Sequence, residues 1–149
     1  MEREFPFDPE GAWVIAKGYE EDEFFIVRFR EDVDPKAGSR LLPRLLVIEW
    51  SYFAEPGHDG LPSTTQLHEL KVMEDRLVNA LQVQKLALLV SAYTSAGVRR
   101  WMWYCGDGDA PAIEKAINVE LRGEPSFPIT LRVSDDPEWS HYASLQALL

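Results

Sequence analysis

The residues of this chain that could act as nucleophiles, acids or metal ligands are few and widely spaced. There is one cysteine, Cys105, and there are three histidines, His58, His68 and His141. No catalytic Cys-His signature surrounds the cysteine, and the histidines lack the spacing of a zinc site. We therefore expect no catalytic residue and no metal site, and we interpret Cys105 as a small core residue.

The other patterns that suggest chemistry are also weak. His58 and Asp59 form a neighbouring imidazole-carboxylate pair beside Gly60, which is typical of a turn. The acidic runs 20–23 and 134–136 lack the oxygen spacing of a calcium loop. No phosphate-binding glycine motif and no GxSxG occurs, so the sequence predicts no nucleotide and no other cofactor.

Charge and composition limit the class of protein. The chain has 149 residues and a formal net charge of -10, which disfavours nucleic acid as a partner. A single cysteine permits no intrachain disulfide and fits a reducing, cytoplasmic location. The chain has no run of eighteen apolar residues, so we expect no membrane partner.

The first half of the chain predicts a hairpin, a strand and a helix. The segments 12–16 and 24–29 read as short strands around an acidic turn, and 32–43 reads as a connection because it contains two prolines and a glycine. The run 44–53 is rich in β-branched and aromatic residues and predicts a central strand. Ser63 and Gln66 form a capping box before Leu67, Leu70, Met73, Leu77 and Leu81, which recur at helical spacing.

The second half predicts a strand pair, a helix, a strand and a final helix. The strands are 86–94, 98–105 and 127–133. We expect Asp109 to cap the helix that Gly123 ends, and Asp136 to cap the last helix. The whole is predicted as one α+β domain over 1–149, with an antiparallel sheet and a ferredoxin-like βαββαβ core at about 44–134. An N-terminal hairpin at about 12–30 and a C-terminal helix at about 136–149 are added to it.

Large apolar side chains point to both faces of the predicted sheet. In the strand 98–105, Trp101 and Trp103 share one parity, while Met102 and Tyr104 share the other. Leaving such rings in water would forgo a few kcal/mol each, about 150–250 Å² of burial per ring. Both faces therefore need a cover. The candidate internal covers are Trp139 with Tyr142, or Trp13 with Ile15; a partner protein, a second copy of the chain or a small-molecule pocket are the alternatives.

The order of several short segments resembles a known family. The segments are Ile48-Glu49-Trp50-Ser51-Tyr52, Asp59-Gly60-Leu61-Pro62, Thr94-Ser95-Ala96-Gly97, Arg100-Trp101-Met102-Trp103-Tyr104 and Asp136-Pro137-Glu138-Trp139 before Tyr142. Together they are similar to the bacterial domain-of-unknown-function family 695. Some of its members are similar to regulator of ribonuclease activity B, an acidic ferredoxin-like protein that inhibits an endoribonuclease by binding it. The resemblance implies a protein that acts through contact.

These observations favour a non-enzymatic protein-interaction or regulatory domain that binds a protein partner or forms a homodimer. The alternative is a small-molecule-binding or hydrolytic domain that uses the His58/Asp59 loop and an aromatic wall. The candidate ligand- or partner-binding residues are Trp50, Tyr52, His58, Asp59, Trp101, Trp103 and Trp139.

Overall fold

The computed structural model describes residues 11–122 and 129–149 of the chain. The strands in these residues are β1 (Trp13–Glu20), β2 (Glu23–Arg30), β3 (Arg44–Ser51), β4 (Ala87–Ser95), β5 (Val98–Cys105) and β6 (Ile129–Asp135). The helices are α1 (Pro35–Leu41), α2 (Thr64–Leu81), α3 (Ala110–Glu120) and α4 (Ser140–Gln146). In the part of the chain described, no helix is long and apolar enough to cross a membrane.

The six strands form one sheet in the order β1-β2-β4-β5-β3-β6. All five neighbouring pairs are antiparallel. The prediction of an α+β protein with an antiparallel sheet is therefore confirmed. The N-terminal hairpin extends the sheet through the pairing of β2 with β4, and β1 and β6 are its edge strands.

The front face of the sheet, as we name it, packs against α2 and α3. Strand register places Ile48, Trp101 and Ala92 side by side on this face. They belong to a core that includes Leu70, Met73 and Leu77 of α2 and Ile113 and Ile117 of α3. The helical spacing predicted these inner positions, except that Leu67 of α2 is half-exposed.

The opposite, rear face is covered from within the chain. Leu88, Val90 and Tyr104 pack against Trp139 and Tyr142, together with Val33 and Leu42 next to α1. The Trp139 ring stacks on the Tyr104 ring with centroids 4.0 Å apart, and its Nε1 donates to the carbonyl of Leu42 at 2.7 Å. Both faces are thus buried, and the cover formed by Trp139 and Tyr142 is confirmed. Trp13 and Ile15, the other candidate cover, lie on the front face.

The connection predicted for 32–43 is wrong, because α1 lies within it. Asp34 Oδ1 accepts a hydrogen bond from the Lys36 N–H, and Pro35 occupies the first turn, so the sequence that suggested a turn is also a helix start. Gly38 lies in the middle of this helix, where a Cβ would come within 2.3 Å of the Trp139 ring. Gly38, which suggested a loop in the sequence, is present because the Trp139 ring leaves no room for a side chain there.

Most other predicted boundaries agree with the structure to within a few residues. The β1-β2 hairpin is longer than expected, and its turn residues Glu21 and Asp22 have φ of 50° and 67°, the conformation that a two-residue hairpin turn requires. The capping box of α2 is confirmed, with Gln66 N–H donating to Ser63 Oγ and Ser63 N–H donating to Gln66 Oε1.

The two predicted aspartate caps have different outcomes. Asp109 has α-helical backbone angles instead of extended ones, makes no side-chain cap on α3, and accepts from the Gly106 N–H at 3.0 Å. That predicted cap is wrong. Trp139, and not Asp136, occupies the N-cap position of α4, but the Asp136 carboxylate accepts from the backbone N–H groups of Ser140 and His141 and so satisfies the helix start from three residues earlier. The predicted roles of Gly123 and Phe127 lie outside the described residues.

Candidate functional site

The four tryptophans among the predicted ligand- or partner-binding residues are core residues, and they lie on two different faces of the sheet. Trp101 and Trp103 are fully buried under α2 and α3, and Trp50 is almost fully buried beside them. Trp139 is fully buried on the rear face. The structure therefore groups Trp50 and Trp103, the predicted aromatic wall, in the front-face core, where they form no exposed binding surface.

Tyr52 anchors the loop that carries His58 and Asp59. Its hydroxyl donates to the carbonyl of Gly60, which also accepts from the Gly97 N–H at 2.9 Å. Burial raises the pKa of the Tyr52 hydroxyl. Gly60 has φ +79°, and a Cβ there would lie 3.0 Å from Ala96 Cα, so the loop is held tightly against the β4-β5 turn.

His58 and Asp59 are both exposed and do not form a catalytic dyad. The His58 ring lies 3.7 Å from a Glu55 carboxylate oxygen, as measured from Nε2. Asp59 has φ 53°, which directs the chain through a tight turn. The structure agrees with the prediction that His58, Asp59 and Gly60 form a turn.

The loop that carries His58 and Asp59 lies next to the tip of the N-terminal hairpin, a contact that the sequence did not predict. A shallow pocket of about 510 Å³ lies between them, lined by Tyr19, Asp22, Glu23, Phe24, Asp59 and Leu61. We name these six residues the hairpin-tip surface. Tyr19 is 75% exposed, and its ring lies 5.4 Å from that of Phe24. The surface combines three carboxylates with two aromatic rings.

A second pocket, of about 470 Å³, lies between α2 and the base of the hairpin. It is lined by Trp13, Arg28, Arg30, Lys71, Glu74, Asp75, Val78, Gln82 and Leu89, which we name the α2 groove. Glu74 is a buried carboxylate on the inner side of α2. Its Oε1 accepts from Arg28 Nη2 at 2.7 Å and from the Trp101 indole N–H at 2.9 Å.

The guanidinium groups of the groove pack on an aromatic ring. The Cζ atoms of Arg28 and Arg30 lie 4.9 Å and 4.8 Å from the centroid of the Trp13 ring. Arg30 is fully buried, and its Nε donates to the carbonyl of Leu89 at 2.7 Å. The signal that could have revealed this cluster was Glu74 at an inward position of the α2 stripe, between Met73 and Leu77.

One serine-histidine contact resembles a hydrolytic arrangement. Ser91 Oγ lies 3.4 Å from His141 Nε2, and Asp136 is close by. However, Asp136 accepts from the backbone N–H of His141 and from the Tyr104 hydroxyl, and Ser91 is fully buried. Burial lowers the pKa of the His141 imidazole, with Asp136 opposing the effect. The contact links α4 to β4 and presents no nucleophile to solvent.

Metal and thiol chemistry find no support in the described residues. In residues 11–122 and 129–149 no group of three or more His, Cys, Asp or Glu side chains could hold a metal ion. Cys105 is fully buried at the end of β5, among the core residues of the front face. This burial agrees with its interpretation as a core residue.

Comparison with protein families identifies the class of this chain. The model of a family of unknown function, DUF695, matches residues 12–145. The chain belongs to this family. A search of curated proteins and a search of solved structures give no match.

Proposed function

We propose that this chain is a non-enzymatic protein-interaction domain and that its binding surface is the hairpin-tip surface. The observation that carries the proposal is the exposure of Tyr19 beside Asp22, Glu23 and Asp59 in one shallow pocket. Exposed tyrosines are frequent in protein interfaces, where the ring provides apolar area and the hydroxyl remains hydrated.

The proposed partner is a protein segment rich in lysine or arginine. The hairpin-tip surface contributes three carboxylates and no cation, and the whole chain has a formal charge of -10. Such a surface attracts a basic segment at long range, and its rings favour cation-π contacts with the arriving side chains. A shallow, open pocket suits a peptide better than an enclosed small molecule.

The proposal also includes a ferredoxin-like description of the core. Support comes from the strand order β4-β5-β3-β6 and from α2 and α3 lying together on one face. The similarity of some family members to regulator of ribonuclease activity B, an acidic protein that acts by binding, supports the class of function. A cytoplasmic location remains part of the proposal and is supported by the single cysteine. The small-molecule or hydrolytic alternative needs an aromatic wall of Trp50 and Trp103, and both rings lie in the front-face core.

Peptide titration followed by NMR tests the proposed surface. The probe is a nine-residue peptide of alternating lysine and leucine, and the comparison peptide alternates glutamate and leucine. We expect the basic peptide to shift the amide signals of Tyr19, Phe24 and Asp59. The variant D22N/D59N should weaken its binding about 5- to 10-fold at low salt, because two attractive charges are removed and asparagine tolerates the positive φ of both positions.

A matched control places the same change at the other end of the sheet. Asp107 and Asp135 are exposed carboxylates on either side of Arg44, at the end of β3 opposite the hairpin tip. The variant D107N/D135N removes the same charge and should leave the affinity within about twofold of the unmodified protein. Equal losses in the two variants, or equal binding of the acidic peptide, would contradict the proposal.

A further inference from the structure

The α2 groove contains a carboxylate that is shared by two arginines. Glu74 Oε1 lies 2.7 Å from Arg28 Nη2 and 3.8 Å from Arg99 Nη1. The Arg99 side chain is 13% exposed, and burial lowers the pKa of its guanidinium. Two guanidinium groups partly removed from water thus have one carboxylate between them, as far as the described residues show. Such an excess of positive charge is unfavourable until another anion binds.

The neighbouring cations of the groove do not change this balance. Lys71 Nζ contacts Asp75 at 2.7 Å, and Arg30 Nη1 lies 3.9 Å from Asp32. Each of these cations has its own carboxylate nearby. The excess positive charge is therefore located at Arg28 and Arg99.

Arg28 is the member of the pair that solvent can reach. Its side chain is 36% exposed and lines the groove, whereas its Nε is buried without a hydrogen-bond partner among the described residues. The guanidinium has thus lost part of its hydration without full replacement. An anion at the exposed edge of the guanidinium does not reach the buried Nε, but it would add charge-assisted hydrogen bonds there and balance the positive charge that Glu74 alone leaves uncompensated.

The shape and lining of the groove indicate what kind of anion fits. Its volume of about 470 Å³ lies within the range of small-molecule sites. The Trp13 ring and the side chains of Val78 and Leu89 supply apolar surface beside the charged groups. A bare inorganic ion would leave this apolar surface hydrated.

We infer that the α2 groove is a binding site for a small organic carboxylate with an apolar body. The carboxylate binds the Arg28 guanidinium, and the apolar body lies against Trp13, Val78 and Leu89. The site is separate from the hairpin-tip surface, with which it shares no lining residue. It goes beyond the proposed protein-interaction function and can succeed or fail independently of it.

Titration of the full chain with benzoate, followed by NMR, tests this inference. Benzoate combines a carboxylate with an apolar ring, and benzamide is the neutral molecule of nearly the same shape. We expect benzoate to shift the Trp13 indole N–H signal in a saturable manner, with at least about tenfold tighter binding than benzamide, because a charge-assisted hydrogen bond is lost in the amide.

The variant R28Q removes the reachable guanidinium and leaves Glu74 with Arg99 and Trp101. Benzoate affinity should fall at least about tenfold in R28Q and about threefold in R28K, which keeps the charge but loses the planar fork. Near-UV circular dichroism shows whether each variant is folded. If R28Q does not fold, the affinity of R28K for benzoate is the test.

Arg100 offers a closely matched control on the other face of the sheet. It is 39% exposed, contacts Glu49 at 2.8 Å and lies over the ring of Tyr93, so it has the same kinds of contact as Arg28 but does not line the α2 groove. The variant R100Q should bind benzoate within about twofold of the unmodified protein. Absence of saturable binding, equal affinity for benzamide, or an equal loss in R100Q would overturn the inference.

Discussion

The two faces of the sheet are covered by helix pairs of different kinds. On the front face, α2 has 18 residues and α3 has 11, and they pack through aliphatic rows. On the rear face, α1 and α4 have seven residues each, and the cover depends on the rings of Trp139 and Tyr142. Helices of seven residues are not stable alone in water. The rear cover therefore exists only through its docking to the sheet.

The short rear helices are held in place by side-chain hydrogen bonds, whereas the long front helices are held by their extended apolar rows. The Tyr104 hydroxyl donates to Asp136 at 2.6 Å, and the Tyr142 hydroxyl donates to the Arg30 carbonyl at 2.8 Å. These two hydrogen bonds fix α4, and the Asp136 residue that precedes it, to β5 and to the end of β2. The comparison leads us to expect that single changes on the rear face release a whole helix, whereas changes on the front face weaken packing locally.

The largest effect is expected from Trp139→Ala. This change removes a fully buried ring stacked on Tyr104 and should lower the free energy of unfolding by about 3–5 kcal/mol. Urea denaturation measures the loss. The comparison variant Leu77→Ala, on the front face, should cost a similar ~2–5 kcal/mol.

Hydrogen exchange distinguishes the two variants. In Trp139→Ala the amides of α1 and α4 should lose protection while those of α2 keep it, because the short helices have no other support. Uniform loss of protection over the whole chain would show that the two covers are not independent.

A smaller effect is expected from Gly38→Ala. The added methyl group would lie 2.3 Å from the Trp139 ring, so α1 must shift, at a cost of about 1–3 kcal/mol in the free energy of unfolding. Arg40→Ala, at an exposed position of the same helix, should change stability by less than about 0.5 kcal/mol.

The double variant sharpens this test. In a Trp139→Ala background the obstacle is gone, and Gly38→Ala should no longer lower the free energy of unfolding. Additive losses in the double variant would contradict the proposed contact.

The smallest effect concerns Asp136 and pH. Burial opposes ionisation of this carboxylate, but hydrogen bonds from the Tyr104 hydroxyl and from the His141 and Ser140 N–H groups outweigh it and lower the pKa of Asp136. The resulting stabilisation is complete above the unfolded-state pKa of about 4 and is lost as pH falls through the lower pKa of the folded state. Because solvent screens this partly exposed group, we expect less than about 1 kcal/mol.

Asp136→Asn tests this dependence against the unmodified protein. The variant should be less stable at pH 7 and should show a smaller fall in stability between pH 5 and pH 2, as measured by urea denaturation. Asp135→Asn, at the exposed neighbouring position, is the control and should retain the pH dependence. An unchanged slope in Asp136→Asn would contradict the proposed role.

Long periodic segments were predictable because their pattern repeats. The stripe of α2, its Ser63 cap and the alternation along β5 each rest on several residues that agree with one another. The helix α1 was missed because seven residues contain two turns at most, and Pro35 and Gly38 alone suggest a loop. The candidate site was predicted in part: the loop of His58 and Asp59 was found, but its neighbour Tyr19 comes from a hairpin about 40 residues earlier.

Sequence by itself determined the antiparallel α+β class, the need to bury both sheet faces and the absence of a recognisable catalytic motif, since these follow from local pattern and composition. Tertiary structure alone decided that Trp101 and Trp139 lie on opposite faces, that Asp22 approaches Asp59, and that Glu74 is shared by Arg28 and Arg99. These pairings depend on strand order and register, which bring together residues far apart in the chain. A local pattern carries no information about which distant residue will be its neighbour.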